Sequence, residues 1–403
     1  MTDQVDIVIV GAGILGLTTA RALLARDPGR RIVVLEKEPT PAFHQTGRNS
    51  GVIHSGIYYR PDSGKAAMVA AGRHTLLAFL DEHGIAYEIC GKVVVAVSDD
   101  ERPRLDALER RAADNGIATE RLDRRGLRDR EPHIEGVAAL RVPSAGIVDY
   151  GGVCAALVDE LTTAGVEIRL GTAVTGATVS ATGVRVATST GVLTAGSIVN
   201  CGGLQCDRVA AAAGADTDGV RIMPFRGEYF ELAPHARHLV NDLVYPLPDP
   251  DFPFLGVHLT RMIDGSIHAG PNAVPALKRE GYRWRDVSAR DTAEIAFARR
   301  TWTLARRYWR KEVGEIHRSL NLRAFLRALQ RLCPELTMDD LEPSGSGVRA
   351  QAITRDGTLL DDFAFADSPR AVHVLNAPSP AATASFAIAE TVADRHERVI
   401  AAI

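Results

Sequence analysis

The chain has 403 residues, 46% apolar and 24% charged, with a net charge of −3. This is ordinary globular composition, so disorder, collagen and coiled coil are excluded for the chain as a whole, and the length implies two or three domains. The near-neutral balance argues against a nucleic-acid binder, and five scattered cysteines with no CxxC pair support neither a zinc site nor a disulfide framework.

Met1–Val10 carries Asp3 and Asp6 where a signal peptide would carry lysine or arginine, and its apolar run stops at Gly11. We read it as the first strand of a cytoplasmic protein, and the cysteine usage fits a reducing compartment. No apolar stretch approaches the ~18 residues of a membrane span.

Val5–Val10 is followed by Gly11-Ala12-Gly13-Ile14-Leu15-Gly16, the helical stretch LTTARALLARD and the strand-like RIVVLE, which ends in Glu36. Strand, glycine turn, helix, strand and acid in this order are a dinucleotide-binding unit. Gly11 makes the turn, Gly13 admits a pyrophosphate and Gly16 lets the helix pack close. The helix N-terminus at Ile14 and Leu15 offers free N–H groups to phosphate. Glu36, 20 residues after Gly16, is placed for ribose hydroxyls, with Lys37 beside it.

A polar, glycine-rich loop then runs from Pro39 to Gly64. A loop that long inside a compact domain is functional more often than not. It favours a tightly held flavin over a diffusible nicotinamide, with Gly47, Arg48, Asn49 and Ser50 near the cofactor and Arg48 on its pyrophosphate.

Farther on, Lys65–His83, Arg102–Asn115 and Tyr150–Ala164 read as helices, each closed by glycine, and KVVVAVS reads as a buried strand. A meander around Val174 leads into AGSIVNC, whose Cys201-Gly202-Gly203 step repeats the strand–glycine–helix pattern beside the cofactor. Arg221–Pro271 alternates and is broken by prolines, as in an antiparallel sheet. Ala276–Leu341 is mainly helical. HVLNAPSPAATASFAI returns to strand and helix, and Pro380, Ala381, Ala382 and Thr383 start that helix, where N–H groups face a flavin.

The strings VIVGAGILGLTTA, HQTGRNSGVIHSGIYY, VPSAGIVDY, MPFRGEYFEL, PFLGVHLTR, HAGPNAV, GSGVRAQ and HVLNAPSPAATASFAI cover the chain from end to end. Through them it resembles the D-amino-acid-oxidase-like superfamily of FAD enzymes, and within it the L-2-hydroxyglutarate oxidase/dehydrogenase family. The resemblance implies FAD, a mixed α/β fold with a Rossmann-like FAD-binding domain and a substrate domain on a mixed or antiparallel sheet, and oxidation of the (S)-2-hydroxy acid to 2-oxoglutarate. We expect the FAD-binding domain in 1–85, 145–215 and 342–403, and the substrate domain in 86–144 and 216–341. An amino-acid or amine oxidase and a glycerol-3-phosphate dehydrogenase are the alternatives of the same fold.

Oxidising an alcohol on a flavin requires a base for the hydroxyl proton and cations for the carboxylates. His54, in the glycine-rich loop, is the leading base, or else a hydrogen-bond partner of the flavin. His258 and His268, in the substrate sheet, are the weaker candidates. Arg349 is the carboxylate clamp, a role the resemblance also carries to it. Tyr58, Tyr59, Arg60, Arg226 and Tyr245 are unranked candidates for a second carboxylate. No metal is expected. The partners expected are a small dicarboxylate hydroxy acid and a quinone or oxygen as electron acceptor. Residues 299–332 hold ten Lys/Arg and two acids with interleaved aromatics. They fit either a solvated face packed on the acidic remainder or a peripheral contact with the inner face of a cell membrane.

Overall fold

The computed structural model describes residues 4–249 and 256–403. Expectations for residues 1–3 and for the strand through 250–255 lie outside the described residues, as do the side chains of 310–312.

The first sheet is built on strand Gln4–Val10, flanked in parallel by Ile32–Leu35 and Gly191–Asn200. Glu167–Arg169 extends it in parallel on one side and Ala371–Asn376 on the other. The meander Val174–Ser180 and Gly183–Thr188 pairs antiparallel onto the start of Gly191–Asn200. Both faces are covered, which is why these strands read as unbroken β-branched runs. Ile7 and Ile9 pack with Leu17, Ala20 and Leu23 of helix Ile14–Arg26, while Val8 and Val10 pack with Val33, Leu35 and Ile198 on the opposite face. Helix Ser385–Ala401 lies against Ile14–Arg26. Arg26 reaches across to Glu390, Asp394 and Glu397, and Thr18 Oγ1 donates to the Ser385 carbonyl at 3.3 Å.

The second, nine-stranded sheet is mixed. Its spine is Arg221–Leu232 paired antiparallel along its length with Leu341–Ile353. His258–Arg261, Leu243–Pro246, Lys92–Ala96 and Ala138–Val142 continue it. Helix Leu322–Leu329 covers one face through Phe325 and Leu329 against Val93 and Val95, and helix Arg102–Asp114 covers the other through Leu105 and Leu108 against Val94 and Ala96. Residues 342–353, expected with the nucleotide unit, therefore sit in this sheet. The chain enters the last nucleotide strand only at Ala371, because GSGVRAQAI has a long partner strand waiting in MPFRGEYFEL. The expected helix at PSPAATAS begins later, at Ser385, after a turn through residues 379–384.

Among the described residues no helix is long and apolar enough to cross a membrane, and all five cysteines are free thiols.

Candidate active site

One elongated cavity, of about 360 Å³, runs from Glu36 to the face of the second sheet. At its nucleotide end the turn is tight because only glycine fits. Gly11 has φ +100°, and a Cβ there would stand 2.7 Å from the Cys201 carbonyl oxygen. A Cβ on Gly16 would fall 1.8 Å from the Gly11 oxygen, so Gly16 packs the helix against the turn and does not line the cavity. Gly13, with ordinary φ, keeps open the space above the helix N-terminus. Glu36 is buried and accepts the Ala12 N–H at 2.8 Å, while Thr46 Oγ1 accepts the Ile14 N–H at 3.2 Å. Lys37, Arg48, Asn49, Ser50, Val174, Cys201, Gly202 and Gly203 join Gly11, Gly13, Ile14 and Leu15 on the wall.

Gly47 is off the wall and turns the loop; its N–H donates to the Ala42 carbonyl at 2.8 Å. Arg48 spreads over the Tyr282 ring at 4.0 Å. Lys37 lies 2.7 Å from His44 Nε2 and 3.1 Å from Glu280 Oε2, and Glu38 Oε1 lies 2.9 Å from the same His44 nitrogen. The acids there already hold an ammonium.

At the other end Pro380, Ala381 and Ala382 line one side, and Tyr229, Tyr245, His258 and Arg349 the other. Thr383 sits one step behind. Its Oγ1 accepts the His54 N–H at 3.1 Å and lies 3.0 Å from the Tyr150 hydroxyl, so it fixes the His54 loop. The His54 ring faces the cavity with Nε2 3.3 Å from Ser379 Oγ, and its buried Nδ1 has no hydrogen-bond partner among the described residues. Burial, with Lys92, His258, Lys65 and Arg349 around it, pushes the imidazole down to about 3. It is therefore a neutral base at any physiological pH. His258 stacks on Tyr245 (centroids 4.1 Å apart), lies 2.9 Å through Nδ1 from the Gly256 carbonyl, and is pushed by burial down to about 4. Arg349 pairs in register with Phe225, and both line the cavity. Burial pulls its ionisation down, with the phenols of Tyr229 and Tyr59 acting the other way.

The remaining candidates lie off the cavity wall. Phe225, Gly227 and Tyr229 face the cavity, but Arg226 does not. Its buried guanidinium stacks 4.4 Å from Trp284 and lies 3.3 Å from Glu228. In a strand one residue of offset moves a side chain to the opposite face. Arg60 is exposed. His268 lies beside Tyr229 with ring centroids 6.1 Å apart. Tyr58 and Tyr59 stand behind the wall, each beside a buried lysine: Lys92 Nζ is 4.3 Å from the Tyr58 ring and Lys65 Nζ 5.1 Å from the Tyr59 ring. Sequence reasoning missed Lys92, Thr46 and Tyr229. Lys92 opens a run of four buried aliphatic positions, and a lysine in such a stretch is the one signal that marked it.

A glycine cradle on a helix N-terminus, an acid at the second strand, and a neutral imidazole sharing one cavity with an arginine fit a dinucleotide cofactor whose reactive end meets an anionic substrate. This arrangement is that of a flavin-dependent oxidoreductase. The chain belongs to the FAD dependent oxidoreductase family, whose model matches residues 6–395. It is 47% identical to L-2-hydroxyglutarate dehydrogenase of Escherichia coli K12 over 98% of this chain and 94% of that one. It is 43% identical to the human mitochondrial L-2-hydroxyglutarate dehydrogenase, covering 98% and 89%. In fold it resembles L-alpha-glycerophosphate oxidase of Mycoplasma pneumoniae, solved with FAD bound (TM-score 0.79, 21% identity, 99% and 95% covered). It also resembles glycine oxidase of Geobacillus kaustophilus (TM-score 0.74, 20% identity, 98% and 95% covered).

Proposed function

We propose that this enzyme oxidises L-2-hydroxyglutarate to 2-oxoglutarate and that its electrons pass on to a quinone or oxygen. The observation that carries the reading is the near-full-length identity to relatives that act on that acid. The pairing of a neutral His54 with Arg349 in one cavity supports it. The fold is shared with oxidases named for other substrates and does not choose among them.

FAD bound along the cavity supplies the acceptor for the hydrogen and two electrons leaving the carbinol carbon. Gly11, Gly13 and the helix N-terminus at Ile14 and Leu15 would hold its pyrophosphate, with Thr46 giving up the Ile14 N–H, Glu36 would hold its ribose, and Pro380–Ala382 would line its reactive end. Arg349 binds the carboxylate next to the carbinol and so fixes which face of that carbon is presented. The neutral His54 imidazole takes the hydroxyl proton. Thr383 and Tyr150 hold the His54 loop in place. We take 1–85, 145–215 and the chain after Ile353 as the cofactor unit and 86–144 and 216–353 as the substrate unit, because Leu341–Ile353 pairs with Arg221–Leu232.

For the acceptor, helix Arg299–Leu320 offers a surface. Trp302, Trp309, Val313 and Leu320 are each more than half exposed and recur at the spacing of one helical face, with Phe297 just before them. Arg299, Arg306 and His317 flank that face. We read it as resting on an anionic membrane surface, where a quinone is at hand.

The test is anaerobic mixing of purified, yellow protein with L-2-hydroxyglutarate, the D-enantiomer, glycerol 3-phosphate and amino acids. Bleaching of the flavin by L-2-hydroxyglutarate alone is expected. Preferential bleaching by an amino acid would overturn the reading.

A further inference from the structure

Arg349 accounts for one carboxylate, and the other arginine on the cavity wall among the described residues, Arg48, is spread over the Tyr282 ring. Lys92 lies just behind that wall. It opens strand Lys92–Ala96, pairs in register with Leu243, and is 1% exposed. Its Nζ sits between two tyrosines, 4.3 Å from the Tyr58 ring and 4.9 Å from the Tyr245 ring. Tyr245 and its stacking partner His258 line the cavity, so the ammonium and the cavity are separated by one aromatic layer.

What Lys92 lacks is an anion. Among the described residues no carboxylate forms an ion pair with it, whereas Lys65, equally buried, has Asp361 Oδ1 at 3.1 Å. Burial alone pushes the Lys92 ammonium down to about 7. A buried charge with no counter-charge is costly unless something supplies one. The acids on the cavity wall, Glu36 and Glu280, are at the nucleotide end, against Ala12 and Lys37. The substrate end is surrounded by Arg349, Lys92 and Lys65, all of which act on His54. Near Lys92 the buried Tyr58 hydroxyl has no hydrogen-bond partner among the described residues. This end of the cavity has cationic charge and a spare O–H donor to match a dianion, and more than a monoanion needs.

We propose that Lys92 is the specificity-determining residue of the site: its ammonium is the counter-charge for the distal carboxylate of the substrate, across or between Tyr58 and Tyr245, while Arg349 takes the carboxylate beside the carbinol. The inference rests on the dicarboxylate reading above. In a low-dielectric wall a charge acts over several ångströms, so discrimination against a neutral tail follows even without direct contact.

The experiment compares L-2-hydroxyglutarate with (S)-2-hydroxypentanoate, which has the same carbon chain and a methyl in place of the distal carboxylate. Flavin reduction is followed by anaerobic rapid mixing in wild type, Lys92→Met and Lys92→Arg holoenzymes. In Lys92→Met, kcat/KM for the dicarboxylate is expected to fall at least about 30-fold, mostly through KM. That for the monocarboxylate holds or rises, and Lys92→Arg recovers part of the preference. Flavin content and Tm are measured alongside, and removing an uncompensated buried charge is expected to leave both intact. Equal losses on both acids, or an unchanged preference, overturn the inference while leaving the substrate reading standing. If Lys92→Met loses its flavin or fold, Lys92→Arg decides: a change in the preference between the two acids supports the inference, and an equal loss on both, or none, overturns it. Wild type that is not reduced by L-2-hydroxyglutarate overturns the substrate reading, and this inference with it.

Discussion

His54, whose buried Nδ1 has no hydrogen-bond partner among the described residues, gives the sharpest predictions. His54→Asn is expected to keep its FAD and to slow flavin reduction by L-2-hydroxyglutarate at least about 100-fold, as removal of a general base does. A flavin-loaded mutant that reduces at the normal rate would remove His54 from the chemistry. Because burial holds the imidazole down to about 3, it is unprotonated throughout pH 5–8. The kcat/KM profile of wild type, which reports the free enzyme, is therefore expected to show no acidic limb near 6.5. Arg349→Ala is expected to cost roughly 2–4 kcal/mol in kcat/KM, the worth of a buried charge-assisted pair. Near-normal kinetics there would mean that another cation holds the acid.

The turn and helix at the N-terminus separate two kinds of glycine. Gly13 has ordinary φ, and a Cβ on it meets only Thr46 Oγ1, at 3.2 Å. Gly13→Val is therefore expected to fold but to emerge colourless, its side chain standing where the pyrophosphate belongs. Gly16→Ala drives a Cβ into the Gly11 carbonyl and is expected to lower Tm by several degrees, whether or not FAD is supplied. Absorbance of purified protein and a thermal melt distinguish the two. The same elements mark how far the sequence could be read. The nucleotide unit was legible because strand, turn, helix and acid lie within one local stretch whose geometry is set by neighbours in sequence. Arg226 and Lys92 were not, because their worth depends on which face of a strand they occupy. That parity is fixed by pairing between Arg221–Leu232 and Leu341–Ile353, and between Lys92–Ala96 and Leu243–Pro246, across long separations in sequence. Arg226 looked like a clamp and turned to Trp284, while Lys92 looked like a core position and turned to Tyr58 and Tyr245, behind the cavity wall. Thr383 was placed on the cofactor and instead holds the backbone of His54.

Among the described residues burial holds His54 down to about 3 and His258, His373 and His396 to about 4, and lowers His268 as well. Unfolded, each titrates near 6.5. Between those values the unfolded chain binds more protons, so their stabilisation is fully present above about pH 6.5 and is lost as pH falls toward 4. Glu131, pushed up by burial to about 7, opposes this between about 4.5 and 7, one group against five histidines. Tm is expected to drop steadily from pH 7 to 5, and His396→Gln to flatten that slope. A Tm that rises on acidification would contradict the assignment. The exposed stripe on Arg299–Leu320 predicts sedimentation with vesicles containing anionic lipid, less so with neutral ones or at high salt, and loss of binding in Trp302→Glu/Trp309→Glu. Equal binding to neutral vesicles would deny the arginines a part.

The nucleotide sheet is assembled from distant parts of the chain: its first strand begins at Gln4, Gly191–Asn200 lies beside that strand, and Ala371–Asn376 completes the far side. Helix Ser385–Ala401, which clamps Arg26 with three carboxylates, is synthesised long after the helix it braces. The glycine turn thus emerges well before the walls of its cavity exist. FAD loading then has to wait for Ala371–Asn376 and the helix beyond it, and a nascent protein halted short of Ala371 carries its nucleotide motif without the far side of the sheet.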